Sequence, residues 1–203
     1  ADHAPTQQAL LARYAQTHAQ EIAERKQAQD AYDQYMAQAR QKAPTAVPKD
    51  YAAEGDAEFM QQLIAYCLTQ LYDVTPAENP AAQLLGLAVE RVADLAASYM
   101  VAGFVHGVLN TDNINITGES FDYGPWRFTE YWDPQFTAAY FDESGLYAFG
   151  RQAEALHWNL GQLAVALRLV SDAPPLIAAL ERFPGLYQQA IIQRFLWRLG
   201  VVS

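Results

Sequence analysis

Apolar residues recur at steps of three and four along most of this chain, and one stretch, Gly103 to Pro125, breaks that rhythm. Leu84, Leu85, Ala88, Val92, Leu95 and Tyr99 mark one face of a helix from Ala81 to about Val101. Leu156, Leu160, Leu163 and Leu167 do the same in a helix from about Arg151 to Leu169. A further helix is expected from about Ala57 to Leu71, with a break at Thr75-Pro76 and Asn79-Pro80. Pro174-Pro175 opens a short helix, because a proline in the first turn lacks only an N–H that has no partner there. Pro184 opens the last helix, which ends at Gly200 and presents Leu186, Ile191, Phe195 and Leu199. The fold class this predicts is mainly α with a small β-hairpin.

Residues 7–42 contain no Gly or Pro and are rich in strong helix formers, with a thin apolar stripe through Leu11, Tyr14, His18 and Ile22, then Tyr32, Tyr35 and Met36. Residues 1–50 therefore read as a helical appendage or insertion, joined through a Pro44–Asp56 linker to a domain over 51–203. A net charge of −10 repels phosphates, so no nucleic-acid partner is expected. No apolar run approaches the roughly 20 residues that span a bilayer, so no membrane segment is expected either. Cys67 is the only cysteine, which excludes an internal disulfide and a thiolate metal cluster. Its setting, Leu63 to Leu68, reads as a helix interior where the thiol packs as a small hydrophobe. The opening Ala1-Asp2-His3-Ala4-Pro5 has no Met and no signal-peptide pattern, and a cytoplasmic protein lacking its amino-terminal part is expected.

Chemistry concentrates in the stretch that breaks the helical rhythm. If Thr117-Gly118 is a two-residue turn, Ile116 faces Glu119, Asn115 faces Ser120, Ile114 faces Phe121 and Asn113 faces Asp122. One face then collects Ile114, Ile116 and Phe121, with Glu119 at the rim; the other collects Asn113, Asn115, Ser120 and Asp122. An amide and a carboxylate come together with Cβ atoms roughly 4.5–5.5 Å apart. Such a pair, completed by water and phosphate oxygens, suits Mg²⁺. Asp112, one residue before Asn113, is placed to accept a proton or hydrogen bond from a substrate hydroxyl. The plainer reading also stays open: Asn110, Thr111, Asp112 and Asn113 are all residues that make side-chain-to-backbone turns. His106 reads as a core histidine, and Tyr123 and Trp126 as packing residues. No Walker loop, dinucleotide fingerprint, Gly-x-Ser-x-Gly or His-Glu-x-x-His is present, and His3, His18, His106 and His157 are too scattered for a zinc site.

The run Gly103-Phe104-Val105-His106-Gly107-Val108-Leu109-Asn110-Thr111-Asp112-Asn113, followed by Asp122-Tyr123-Gly124-Pro125, resembles the selenoprotein O (YdiU) family of kinase-fold protein adenylyltransferases. The likeness continues in order through Tyr131-Trp132-Asp133-Pro134, Tyr147-Ala148-Phe149 with Gln152, and Trp158-Asn159-Leu160. It implies a protein-kinase-like C-lobe segment, with Asp112 as catalytic proton acceptor and Asn113 and Asp122 as ligands of Mg²⁺ (or Mn²⁺). Asp122 would also contact ATP through the metal. The implied reaction moves AMP from ATP onto Ser, Thr or Tyr hydroxyls of protein substrates.

The sequence departs from the family where Tyr140-Phe141 replaces a common His-Ser and where Leu146 replaces an Arg. The family's Gly-rich loop, phosphate-binding Lys and redox-active Cys are not recognisable. The resemblance therefore implies a segment that needs the remaining lobe of a longer protein as its partner and is inactive alone. Kinase-type phosphoryl transfer with the same ligands, or a pseudokinase scaffold binding partners through the amino-terminal helices, are the rival expectations.

Overall fold

The computed structural model describes residues 54–120 and 122–201. The expected appendage over 1–50 lies outside these residues, as does Phe121. Helix α1 runs Glu54–Tyr66, starting inside the expected linker, and widens into a π-helical turn over Cys67–Leu71. Cys67 is buried, and burial pushes its thiol pKa up, so it packs as a hydrophobe.

Helix α2, Pro80–Ala102, has a start and a stop written into its sequence. Asn79 Oδ1 accepts the Ala82 N–H at 3.1 Å, and Pro80 occupies the first turn. At the other end Gly103 takes φ 67°, a left-handed cap that returns its N–H to Met100 O. A 3₁₀ turn over Phe149–Arg151 leads into α3, Gln152–Leu167; α4 is Ala173–Leu180 and α5 is Phe183–Arg198.

Helix α2 is the axis of the described helices. The sequence marks one apolar face, whereas the structure also buries Val89, Ala93, Ala96 and Ala97, because α1, α3, α4 and α5 all pack on this helix. Alanines at these positions let the surrounding helices approach closely. Leu68, Leu85, Leu156, Leu167 and Leu176 are fully buried around it, each stabilising by about 2 kcal/mol. The ion pairs of α2, Asp94–Arg194 to α5 and Glu90–Arg182 to the residue that precedes it, are roughly half exposed and contribute at most about 1 kcal/mol each. Apolar packing therefore decides the fold. Helix α5 departs from expectation: Phe183 and Ala190 face inward, while Phe195 and Leu199 lie exposed on its outer side.

The α3–α5 contact contains a pH-sensitive group. His157 is buried, stacks on Phe183 with centroids 4.7 Å apart, and bonds the Leu180 backbone. Desolvation holds its pKa below the usual histidine value, with the Leu180 bond acting the other way. The unfolded chain therefore takes up the proton more readily. The stability His157 contributes is present above about pH 6.5 and is lost as pH falls through its lower folded value. Thermal melts between pH 7.5 and 5 are expected to show a falling Tm, with a flatter profile in His157→Gln. Identical profiles for the two proteins refute this.

The fold is thus mainly helical with a small antiparallel hairpin, and the hairpin is wider than expected. Strand β1, Phe104–Val105, pairs with β2, Arg127–Phe128, in the register Phe104 to Phe128 and Val105 to Arg127. The 21 residues between the strands (106–126) form the site described next. Among the described residues no helix is long and apolar enough to cross a membrane.

Candidate functional site

Two amides of α3 carry the loop that enters the site. Gln152 Nε2 donates to Phe104 O at 2.8 Å, and its Oε1 accepts the His106 N–H at 2.9 Å. Asn159 Nδ2 donates to Leu109 O at 3.0 Å and to Asn110 O at 3.3 Å. Residues seven apart share a helix face, so both amides lie along the buried Leu156–Leu160 stripe. Polar residues at that spacing on an apolar stripe are the signal by which sequence reasoning could have assigned them this role. His106 is fully buried, as expected of a core histidine.

The loop then turns. Asn113 N–H donates to Asn110 O at 3.1 Å, and Asn113 Oδ1 accepts the Asn110 N–H, also at 3.1 Å. The plainer turn-forming reading holds for the Asn113 side chain, while that of Asn110 accepts from Tyr147 instead, and it does not exhaust Asn113. Its Nδ2 donates to Asp122 Oδ2 at 3.0 Å, so the amide and the carboxylate do meet. Asn113 is buried, while Asp112 and Asp122 are exposed.

The route to that meeting differs from the expected one. Gly118 N–H donates to Asn115 O at 2.9 Å, Asn115 N–H donates to Glu119 O at 3.1 Å, and Ile114 bridges Ser120. The loop is therefore three residues, Ile116-Thr117-Gly118, with Gly118 at φ 75° in the bulge position, and the pairing is slipped by one. Ile116 does not face Glu119, and Asn115 does not face Ser120. A slip of one reverses side-chain facing along a strand. Asp122 sits at φ 57°, off the extended backbone, and this break in alternation accompanies the return of its carboxylate to Asn113. Aspartate tolerates that left-handed conformation better than most residues.

The hairpin tip is held by Tyr72, just past the π-helical turn that follows α1, and by Arg91 of α2. Tyr72 Oη donates to Ile116 O at 2.7 Å, and burial pushes the Tyr72 pKa up to about 12. Gly118 lies against Arg91, so close that a Cβ there would stand 2.5 Å from Arg91 Cβ. A cavity of about 370 Å³ remains between the loop residues Thr111 and Ile114 and the helix residues Val92 and Leu160. Tyr123 and Trp126 pack on Phe104, as expected of packing residues, but they are 56 % and 45 % exposed, so half of this aromatic cluster faces outward.

Among the described residues no three His, Cys, Asp or Glu side chains converge as a cation cage. A cation at Asn113 and Asp122 would thus complete its shell with water and phosphate oxygens, the habit of Mg²⁺. The Asp122 carboxylate is of the hard-oxygen type that fits this ion, whereas Asn113 Oδ1 is taken by the Asn110 N–H, so the amide would have to turn to offer its oxygen as a ligand. The Asn113 NH₂ group faces Asp122 in the place a positive charge would take.

The site is thus an amide–carboxylate pair beside an exposed aspartate, presented by a helical domain. The family model described as Protein adenylyltransferase SelO matches residues 48–203, and the chain belongs to that family. The chain is 44 % identical over 145 residues to the Protein nucleotidyltransferase YdiU of Synechococcus sp., covering 71 % of this chain and 30 % of that protein. It is 50 % identical over 115 residues to the YdiU protein of Synechocystis sp., covering 57 % and 24 %. It is 38 % identical over 151 residues to that of Cytophaga hutchinsonii, covering 73 % and 29 %. The chain spans less than a third of the length of these relatives.

Proposed function

We propose that this chain carries the metal and proton-acceptor half of a kinase-like site that transfers AMP from ATP to Ser, Thr or Tyr hydroxyls of proteins. The observation that carries the reading is the Asn113–Asp122 contact one residue from the exposed Asp112. The family description and the relatives' name, protein nucleotidyltransferase, support it.

In this reading Asn113 and Asp122 hold Mg²⁺, which neutralises phosphate charge when bound. Asp112 accepts the hydrogen bond of the incoming hydroxyl and aims its oxygen at the α-phosphorus. The new oxygen–phosphorus bond forms as the bond to the bridging oxygen breaks. Pyrophosphate departs with that electron pair, and the hydroxyl proton passes to Asp112 and then to solvent. The turn bonds at Asn110 and Asn113, held from below by Asn159, keep Asp112 in place without reorganisation.

The test uses a family-length protein containing this segment, since the chain spans only part of its relatives. Incubation with a protein acceptor and ATP labelled at the α- or the γ-phosphate is expected to leave only the α-label on protein. Asp112→Ala and Asp122→Ala are each expected to abolish labelling. A γ-label overturns the reading in favour of phosphoryl transfer. Partner binding that survives Asp122→Ala, with no label of either kind, overturns it in favour of a scaffold.

A further inference from the structure

The segment that follows the aromatic cluster is organised around one carboxylate. Asp142 accepts the N–H groups of Leu146 and Tyr147 at 2.8 Å each, and its carbonyl receives the Gly145 N–H at 3.2 Å. Arg151, at the end of the 3₁₀ turn before α3, closes the same loop by donating to Gly145 O at 3.3 Å. These bonds fix the backbone of Tyr147. Its phenol then crosses 37 residues of sequence and donates to Asn110 Oδ1.

Asn110 is the first residue of the turn on which Asp112 stands, and its backbone N–H is bonded to Asn113. An unbroken series of bonds thus runs from Asp142 through Tyr147, Asn110 and Asn113 to Asp122. The Tyr147 pKa is raised by burial first, then by the charges of Asp142 and Asp112, so the ring stands within electrostatic reach of the Asp112 carboxylate. Asn159 holds the carbonyls of Leu109 and Asn110 from beneath, while the Tyr147 phenol holds the Asn110 side chain from the opposite element.

We infer that Tyr147 is a positioning residue: its phenol clamps Asn110 and thereby fixes the direction in which Asp112 presents its carboxylate to the acceptor hydroxyl. The inference rests on the functional reading above. A misplacement of a reacting group by about 1 Å can cost up to about 100-fold in rate. The bond joins neutral groups near the surface, where water can take the place of either partner, so its loss should leave the fold intact.

The experiment compares Tyr147→Phe, Asn110→Ala and the double variant in a family-length protein, measuring α-label transfer, KM for ATP and Tm. For Tyr147→Phe, kcat is expected to fall about tenfold. KM for ATP should stay within about twofold, because the metal ligands are untouched, and Tm within about 2 °C. The double variant should lose no more than Asn110→Ala alone, since both changes release one contact. A Tyr147→Phe protein with unchanged kcat overturns the inference. So does one in which kcat falls only in step with Tm, or one whose defect adds fully to that of Asn110→Ala. If the unaltered protein transfers no α-label, the functional reading fails first and the inference with it.

Discussion

A chain carrying Asp122→Asn is expected to keep its fold and lose its grip on a metal–nucleotide. The side chain is exposed, and asparagine accepts φ 57° as readily as aspartate, so neither packing nor backbone is disturbed. The contact to Asn113 survives as an amide–amide hydrogen bond in place of the present amide–carboxylate bond. Tm should therefore move by no more than about 2 °C. What disappears is the formal negative charge. Changing a residue that only supports a metal ligand already costs 10–100-fold in affinity, so loss of the proposed anionic ligand should weaken Mn²⁺–ATP binding by at least about 100-fold. In a family-length protein, transfer should fall by about 1,000-fold, the scale of removing one preorganised charge contact. Asp112→Asn is the matching control: binding retained, transfer lost. Manganese titration followed by electron paramagnetic resonance reads the first effect, and α-label transfer the second. Undiminished manganese binding by Asp122→Asn would mean the ion, if any, sits elsewhere.

How far the sequence alone reaches is clearest at this pair. The expected two-residue register pairs Asn113 with Asp122, and they do meet, but by another route: the register is slipped by one and the Asp122 carboxylate returns to Asn113 from a left-handed backbone. The register was not legible. Thr117-Gly118 fits a two-residue turn, but glycine in the left-handed position of a three-residue loop satisfies the same letters. The choice is made by tertiary contacts, Tyr72 on Ile116 and Arg91 against Gly118, which no local pattern reveals.

The helices show the same division. The start and end of α2 follow from Asn79, Pro80 and Gly103, all local signals. Its burial on several faces depends on four other helices, and alanine reads as neutral in any single-face pattern. Near the last helix, spacing alone assigns the apolar residues at 195 and 199 inward, yet Phe183 and Ala190 are the buried ones, Phe183 stacked on His157 of α3. Gln152 and Asn159 stand out in the sequence as polar residues on an apolar stripe, but which carbonyls they hold, those of Phe104 and Leu109, needed the fold.

Gly118→Ala is expected to be the most damaging single-methyl change in the hairpin. A Cβ at this position would lie 2.5 Å from Arg91 Cβ and 2.8 Å from the Arg91 carbonyl carbon. The obstacle is the backbone of the central helix, which cannot step aside as a flexible side chain could. To the overlap, about 1–3 kcal/mol by analogy with overpacked cores, is added the cost of φ 75° for a residue with a Cβ, about 1 kcal/mol. The sum, about 3 kcal/mol, corresponds to a fall of about 10 °C in Tm for a domain of this size. Gly200→Ala separates the two contributions: φ is 71° there, but no atom lies within 4 Å of the added Cβ. It should cost only about 1 kcal/mol. The chain has one way to reduce the larger penalty, which is to lift the hairpin tip off α2. That movement breaks the Tyr72–Ile116 bond at the tip of the loop that carries the Asn113–Asp122 pair, loosening the support of that pair. A Gly118→Ala protein that escapes with a smaller loss of Tm should then show weaker manganese binding in proportion. Equal, small effects for Gly118→Ala and Gly200→Ala, with binding intact in both, would mean that the tip does not bear on Arg91 and that the site is held by α3 alone.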